Sequence, residues 1–254
     1  IRVSLSEEPE AEIPVARLLV EHTGKRKHAP AVEAVESPLC SRYEYKRRET
    51  NAVGKIGGEN VPVVLASKDG GFATIPDFLL VDNRVLSTDG DVFPVYEADY
   101  VQTIQTDDSA VKFVRLQYPD LTEDMLSFLK DRNDVVVLLS SEHADGVGEM
   151  RAFFHTLLNA DCRVPVILTR EYSESALDHL QIKSAADLGI LLIDGFGDGI
   201  FLTNKGTITV EELNSVAFGI LQAARVRISK TEYVSCPSCG RTMFNLQTVI
   251  ARIK

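Results

Sequence analysis

Residues 134–169 read D-V-V-V-L-L-S-S-E-H-A-D-G-V-G-E-M-R-A-F-F-H-T-L-L-N-A-D-C-R-V-P-V-I-L-T. An apolar, mostly β-branched run, Val135–Leu139, ends in a polar turn. An amphipathic segment, Gly148–Asn159, follows, and then a second apolar run, Val164–Leu168. Strands apolar without alternation are buried on both faces, as in parallel sheets covered by helices. A strand, helix and strand at this spacing predict a right-handed βαβ unit.

The same grammar recurs on both sides. Val61–Ala66, Val111–Leu116 and Ile190–Ile193 read as buried strands, with weaker strands at Phe78–Val81 and Val95–Val101. Thr122–Lys130, Ser173–Gln181 and Val210–Arg225 read as helices, and Asp120 and Thr122 mark the start of the first. About eight strands in such a series favour a closed (β/α)8 barrel over an open sheet. The expected fold class is therefore α/β, a TIM-barrel-like domain that is irregular or incomplete.

Ile1–Leu5 reads as a strand, and Ser6 as the cap of a helix with Ile13, Ala16, Leu19 and Val20 on one stripe. The chain opens on a strand already under way and stops inside a helical pattern, so the expectation is a piece of a longer protein. Between His22 and Gly58 the periodicity dissolves into basic runs, Lys25–His28 and Lys46–Arg48, and several glycines. That segment reads as a solvated, mobile connection, with phosphate contact as the minority reading. The turn holding Asp194, Gly195, Gly197, Asp198 and Gly199 reads first as structure. Its second reading places aspartates at the end of a barrel strand, where they could meet metal or hydroxyls.

The 254 residues carry a net charge of −10, which argues against general binding to nucleic acid or anionic membrane. No apolar run is long enough to span a bilayer. His143, His155 and His179 are scattered and suggest no acid–base set. Of four cysteines, Cys40 and Cys162 stand alone, whereas Cys236 and Cys239 frame a C-P-S-C-G knuckle. Pro237 fixes part of that turn and Gly240 admits positive φ, so both sulfurs can face one point. Half of a metal site, a redox dithiol and a packed pair of small apolar residues all remain open on these residues.

Three stretches together carry a resemblance: I-R-V-S-L-S-E-E-P-E-A-E-I at the start, D-G-F-G-D-G-I at 194–200, and T-E-Y-V-S-C-P-S-C-G-R-T-M-F-N-L-Q from Thr231. They resemble the large, three-domain form of the 4-hydroxy-3-methylbut-2-enyl diphosphate synthase family of plants and some bacteria. The resemblance implies that residues 1–21 end a first TIM barrel, 22–230 form an inserted barrel-like domain, and 231–254 begin an iron–sulfur domain. It also implies a [4Fe–4S] cluster with Cys236 and Cys239 as metal ligands, a third cysteine and a glutamate lying beyond Lys254. Arg2 and Ser4 would be substrate-binding diphosphate contacts; the echo of that strand at Ile200–Thr203 has Phe201 and Thr203 in their places. The implied partners are 2-C-methyl-D-erythritol 2,4-cyclodiphosphate and reduced ferredoxin or flavodoxin, in bacterial cytoplasm or a plant plastid. By the same reading the fragment alone is inactive. Two other readings stand beside it: a non-catalytic structural barrel, homodimeric or acting as a spacer, and a zinc-knuckle binding module.

Overall fold

Among the described residues eight strands close into one barrel. The computed structural model describes residues 9–41, 43–67 and 71–232, with Val3, Asn245, Thr248, Val249 and Arg252. In chain order the elements are α1 (Glu12–Gly24), β1 (Val63–Ser67), β2 (Phe78–Val81), β3 (Arg84–Ser87), β4 (Val92–Glu97) and α2 (Val101–Thr106). There follow β5 (Lys112–Leu116), α3 (Glu123–Lys130), β6 (Val135–Leu139), α4 (Gly146–Asn159), β7 (Val166–Tyr172), α5 (Leu177–Ser184), α6 (Ile190–Ile193), β8 (Gly199–Asn204) and α7 (Val210–Ala223).

From β4 to β8 and on to β1 and β2 every neighbouring pair is parallel, with β8 closing on β1. The exception is β3, antiparallel to both its neighbours. Asp82 and Asn83 sit at φ 45° and 57°, the backbone of a tight two-residue hairpin, and Gly90 at φ 94° turns the next one. The barrel is therefore irregular: two hairpins stand where helical crossovers would run.

Alternate side chains of each strand point inward and outward. The inward set, including Leu65, Phe78, Val85, Phe113, Val136, Leu138, Ile167 and Phe201, fills the barrel. The outward set, including Val114, Leu116, Val137, Leu139, Leu168 and Ile200, meets the helices through Met150, Phe153, Phe154, Leu213 and Leu221. Burial on both faces is why β6 reads as an unbroken apolar run. Its two flanking helices start where side-chain caps allow. Thr122 Oγ1 accepts from Met125 N at 3.2 Å to open α3. Asp145 Oδ1 accepts from Gly148 N at 3.1 Å to open α4.

Several expectations need correction. Ile190–Ile193 is a helical turn, not a strand, continuing α5 through a π-helical segment at Ala185–Gly189. Leu191 and Leu192 are buried while Ile190 and Ile193 are exposed, which fits a helix face and not a period of two. The strand is Gly199–Asn204, so Asp194 and Asp198 precede it and lie at the opposite end from a barrel's usual catalytic loops. Segment 173–176 belongs to no helix, since α5 begins at Leu177, and β4 ends at Glu97 in a 3-10 turn.

The stretch from His22 to Gly58 is not a solvated connection throughout. Arg48 is 6% exposed, and Val53 and Ile56 are buried in the inner core of the barrel. Specific carboxylates and carbonyls await these side chains, which the basic composition alone does not disclose. The strand at Ile1–Leu5, apart from Val3, the Ser6 cap and the Cys236–Cys239 knuckle lie outside the described residues.

Candidate functional site

The C-terminal ends of the strands are where barrels of this kind place their chemistry. Here they are tied by exposed ion pairs between neighbouring strands. Arg115 on β5 donates to Glu97 on β4 at 2.7 Å and to Asn83 at 2.9 Å. Lys205, just past β8, pairs with Glu171 on β7 at 2.5 Å. The hydrogen bond and charge of Glu171 raise the Lys205 pKa, the opposite of the shift a lysine base needs. Such neighbouring pairs are neutralised locally and surround no shared reacting point.

The most heavily built cluster at this end centres on Asp187, in the π-helical segment. Its carboxylate faces His22 Nε2 and Arg26 Nη2, both at 2.7 Å, and accepts from the Tyr172 hydroxyl at 3.0 Å. Arg170 Nε stands 3.7 Å away and donates through Nη1 to the Ser141 carbonyl at 2.7 Å. Burial pushes the Asp187 pKa upward, but the His22 contact, with the charge of Arg170 and the Tyr172 bond, outweighs it and the net direction is down. Burial first, and then the Asp187 charge, push the Tyr172 phenol well above its ordinary value. What this cluster does is fasten α1 and the 3-10 turn after it to β7; π-helical insertions are frequent at such special sites.

At the other end Asp198 is 2% exposed. Its Oδ1 accepts from Arg47 Nη2 at 3.0 Å and Thr50 Oγ1 at 3.1 Å, and its Oδ2 from the Val166 amide at 3.0 Å. Arg48 Nη2 lies 3.9 Å from Oδ2 and donates to the Cys162 and Val164 carbonyls through Nη1 and Nη2. The first reading of the glycine turn therefore holds: Asp198 is a structural hub, and Asp194 pairs with Arg151 at 2.5 Å.

The three histidines do not converge. His143 Nδ1 accepts from the Asp145 amide, His155 meets the Val35 carbonyl from α4, and His179 lies 3.9 Å from Glu174. Among the described residues no three His, Cys, Asp or Glu side chains gather as a metal site. Cys162 is buried, and that burial raises its thiol pKa, which disfavours the thiolate a metal needs. Arg2, Ser4, Cys236 and Cys239 lie outside the described residues. The two hubs, Asp187 and Asp198, escape sequence reading because their partners His22 and Arg47 are 165 and 151 residues away in the chain.

A 4-hydroxy-3-methylbut-2-en-1-yl diphosphate synthase (flavodoxin) from Parabacteroides distasonis is 46% identical across all of this chain, which spans 45% of that protein. The namesake from Porphyromonas gingivalis is 42% identical across all of this chain and 42% of its own length. Over its whole length this chain is related to 4-hydroxy-3-methylbut-2-en-1-yl diphosphate synthases. A chloroplastic, ferredoxin-type synthase from Oryza sativa matches 53% of the chain at 40% identity. No family model matches the chain. It spans less than half the length of the curated relatives it matches throughout. Among the described residues no helix is long and apolar enough to cross a membrane.

Proposed function

We propose that this chain is the middle portion of an iron–sulfur reductase of isoprenoid biosynthesis by the methylerythritol phosphate pathway. The whole protein converts 2-C-methyl-D-erythritol 2,4-cyclodiphosphate to 4-hydroxy-3-methylbut-2-enyl diphosphate. The observation that carries this is the match of the entire chain, at 41–46% identity, to relatives bearing that name. The donors in the relatives' names, flavodoxin and ferredoxin, are the candidate electron carriers.

In this reading residues 1–21 end a first barrel, 22–230 are an inserted barrel and 231–254 begin the iron–sulfur domain. Cys236 and Cys239 give two thiolates to a [4Fe–4S] cluster, completed by a cysteine and a glutamate from the full-length protein. When bound, that group supplies electrons and a Lewis-acidic position for the departing oxygen. Arg2 and Ser4 hold the diphosphate, a cation and a hydroxyl suited to phosphate oxygens. The inserted barrel is a scaffold, a reading supported by ion pairs that join neighbouring strand ends and by an Asp187 cluster whose groups are spent on fastening α1 to β7.

Cys236→Ser in the full-length protein tests the central assignment. Turnover should be lost and iron content should fall, whereas normal turnover would defeat it. A full-length protein lacking residues 22–230 tests the scaffold role separately: it should keep its iron and lose its activity. Full activity without the insert removes that role. Light scattering on this chain reports whether the insert also pairs with a second copy.

A further inference from the structure

The chain leaves the barrel beyond α7, and several side chains hold it as it goes. The helix ends in a Schellman turn: the Arg225 amide donates to the Gln222 carbonyl at 3.0 Å and the Val226 amide to that of Leu221 at 3.1 Å. Glycine usually takes the left-handed position of such a turn, yet here Arg225 holds it at φ 62°. Strain of that kind persists where the surroundings over-determine the backbone. They do so here. Arg225 Nη1 donates to Glu232 Oε2 at 2.6 Å, and Val226 folds back onto the outer core.

Gln222, buried on the last turn of α7, is the centre of the hold. Its Oε1 accepts from the Ser229 amide at 3.1 Å, the Ser229 hydroxyl at 3.2 Å and the Lys230 amide at 3.1 Å. Its Nε2 donates to the Lys230 carbonyl at 3.1 Å. Arg227 adds a second fastening: it donates to Asp77 through Nη1 and Nη2 at 2.6 and 3.0 Å and to the Pro62 carbonyl at 3.0 Å, with its guanidinium over the Phe218 ring. Pro62 and Asp77 stand just before β1 and β2, so the exit lies at the N-terminal ends of the strands. The Asp187 cluster fastens α1 at the opposite end. A flexible tether between domains runs exposed with few contacts across it, and this segment is the reverse.

We propose that Gln222, supported by Asp77, is a positioning residue: by fixing residues 227–232 it sets the direction in which the chain leaves the barrel, and so where the iron–sulfur domain stands relative to the first barrel. This rests on the reading above, in which residues 231–254 begin that domain. Clamped at opposite ends, the inserted barrel is a rigid strut and not a tether. Chemistry between groups carried on separate domains depends steeply on such placement, since a displacement of about 1 Å can cost about a hundredfold in rate.

Gln222→Leu in the full-length protein keeps the bulk of the side chain and removes all four hydrogen bonds. Iron content and KM for the cyclodiphosphate should match the unmodified protein, because the proposed cluster ligands and diphosphate contacts are untouched, while kcat falls at least about tenfold. Small-angle X-ray scattering should show a larger maximum dimension as the domains lose their fixed relation. Asp77→Asn, which loosens Arg227, should shift both readouts the same way. Gln222→Glu keeps the acceptor for Ser229 and Lys230 and should recover most of the loss. Thr122→Ala gives up the cap of α3, lowering stability without touching the exit, and should leave kcat and scattering unchanged. Unchanged kcat and scattering in Gln222→Leu and Asp77→Asn, or a loss that Thr122→Ala reproduces, overturns the proposal. An unmodified full-length protein that carries no cluster defeats the underlying reading instead, and scattering then decides the positioning role alone.

Discussion

Replacing Asp198 by Asn keeps the volume of the side chain and removes only its charge. In the folded protein that carboxylate accepts three hydrogen bonds, from Arg47, Thr50 and the Val166 amide, at 3.0–3.1 Å. The amide can keep one oxygen as acceptor, but its NH2 group then points a donor at other donors. It also leaves two guanidinium groups, 27% and 3% exposed, without a counter-charge. Removing one partner of a buried ion pair costs about 3–5 kcal/mol, since the partner left behind stays desolvated. For a chain of this size each kcal/mol moves the melting temperature by about 2–4 °C, so a fall of roughly 6–20 °C is expected. The chain has no tryptophan, so urea unfolding is best followed by circular dichroism. Arg47→Met in the Asp198→Asn background should recover part of the loss, because it removes one of the stranded charges. A single-variant loss under about 1 kcal/mol would refute the hub, placing Asp198 among solvent-screened pairs.

Other outcomes follow from the same contacts. Asp187 has a lowered pKa, so the stability it contributes is present above the ordinary carboxylate range and is lost as pH falls through its folded value. Asp187→Asn should therefore lower stability at neutral pH and flatten the acid limb of an unfolding-versus-pH curve; an unchanged limb would contradict the clasp on α1. The side chain of Ser109 and then the Tyr96 hydroxyl hold the Asp107 pKa at about 2, while Tyr96 is itself pushed to about 12. Tyr96→Phe should move the Asp107 carboxyl upward in a carbon-detected NMR titration without restoring it fully, since Ser109 remains. Gly195 lies at φ +85° with the Lys46 carbonyl oxygen 2.1 Å from where a Cβ would stand. Gly195→Ala should cost roughly 2–4 kcal/mol in urea unfolding, strain and overlap together. Gly90→Ala, at φ +94° with open space around it, should show only the strain, about 1 kcal/mol.

The barrel was legible where the chain obeys a simple period. β6 and the helix over 146–159 announce themselves because one is buried on both faces and the other alternates every three or four residues. The hairpin strand β3 escaped notice, although Asp82-Asn83 between apolar residues is a turn signal, because only four residues separate its turns. Ile190–Ile193 misled because four β-branched and leucine residues fit either period, and the length that would arbitrate was absent. The basic stretch around Arg47 and Arg48 hid its role for another reason. Whether an arginine is solvated or buried depends on a carboxylate about 150 residues later, and local composition carries no record of that pairing.

Val53 and Ile56, only 2% and 1% exposed, join the inner core before the first strand has begun. A segment outside the strand repeat thus acts as a cork in the mouth of the barrel. The Arg48 amide donates to the Gly195 carbonyl and the Asn51 amide to that of Arg163, so the cork is tied to turns from the chain's far half. Sealing that mouth brings together segments more than a hundred residues apart, a long and entropically costly loop to close. The stopper is therefore expected to seat late in folding, after the walls it fills have formed. Variants that loosen it would leak solvent into the barrel's interior before they separated any pair of strands.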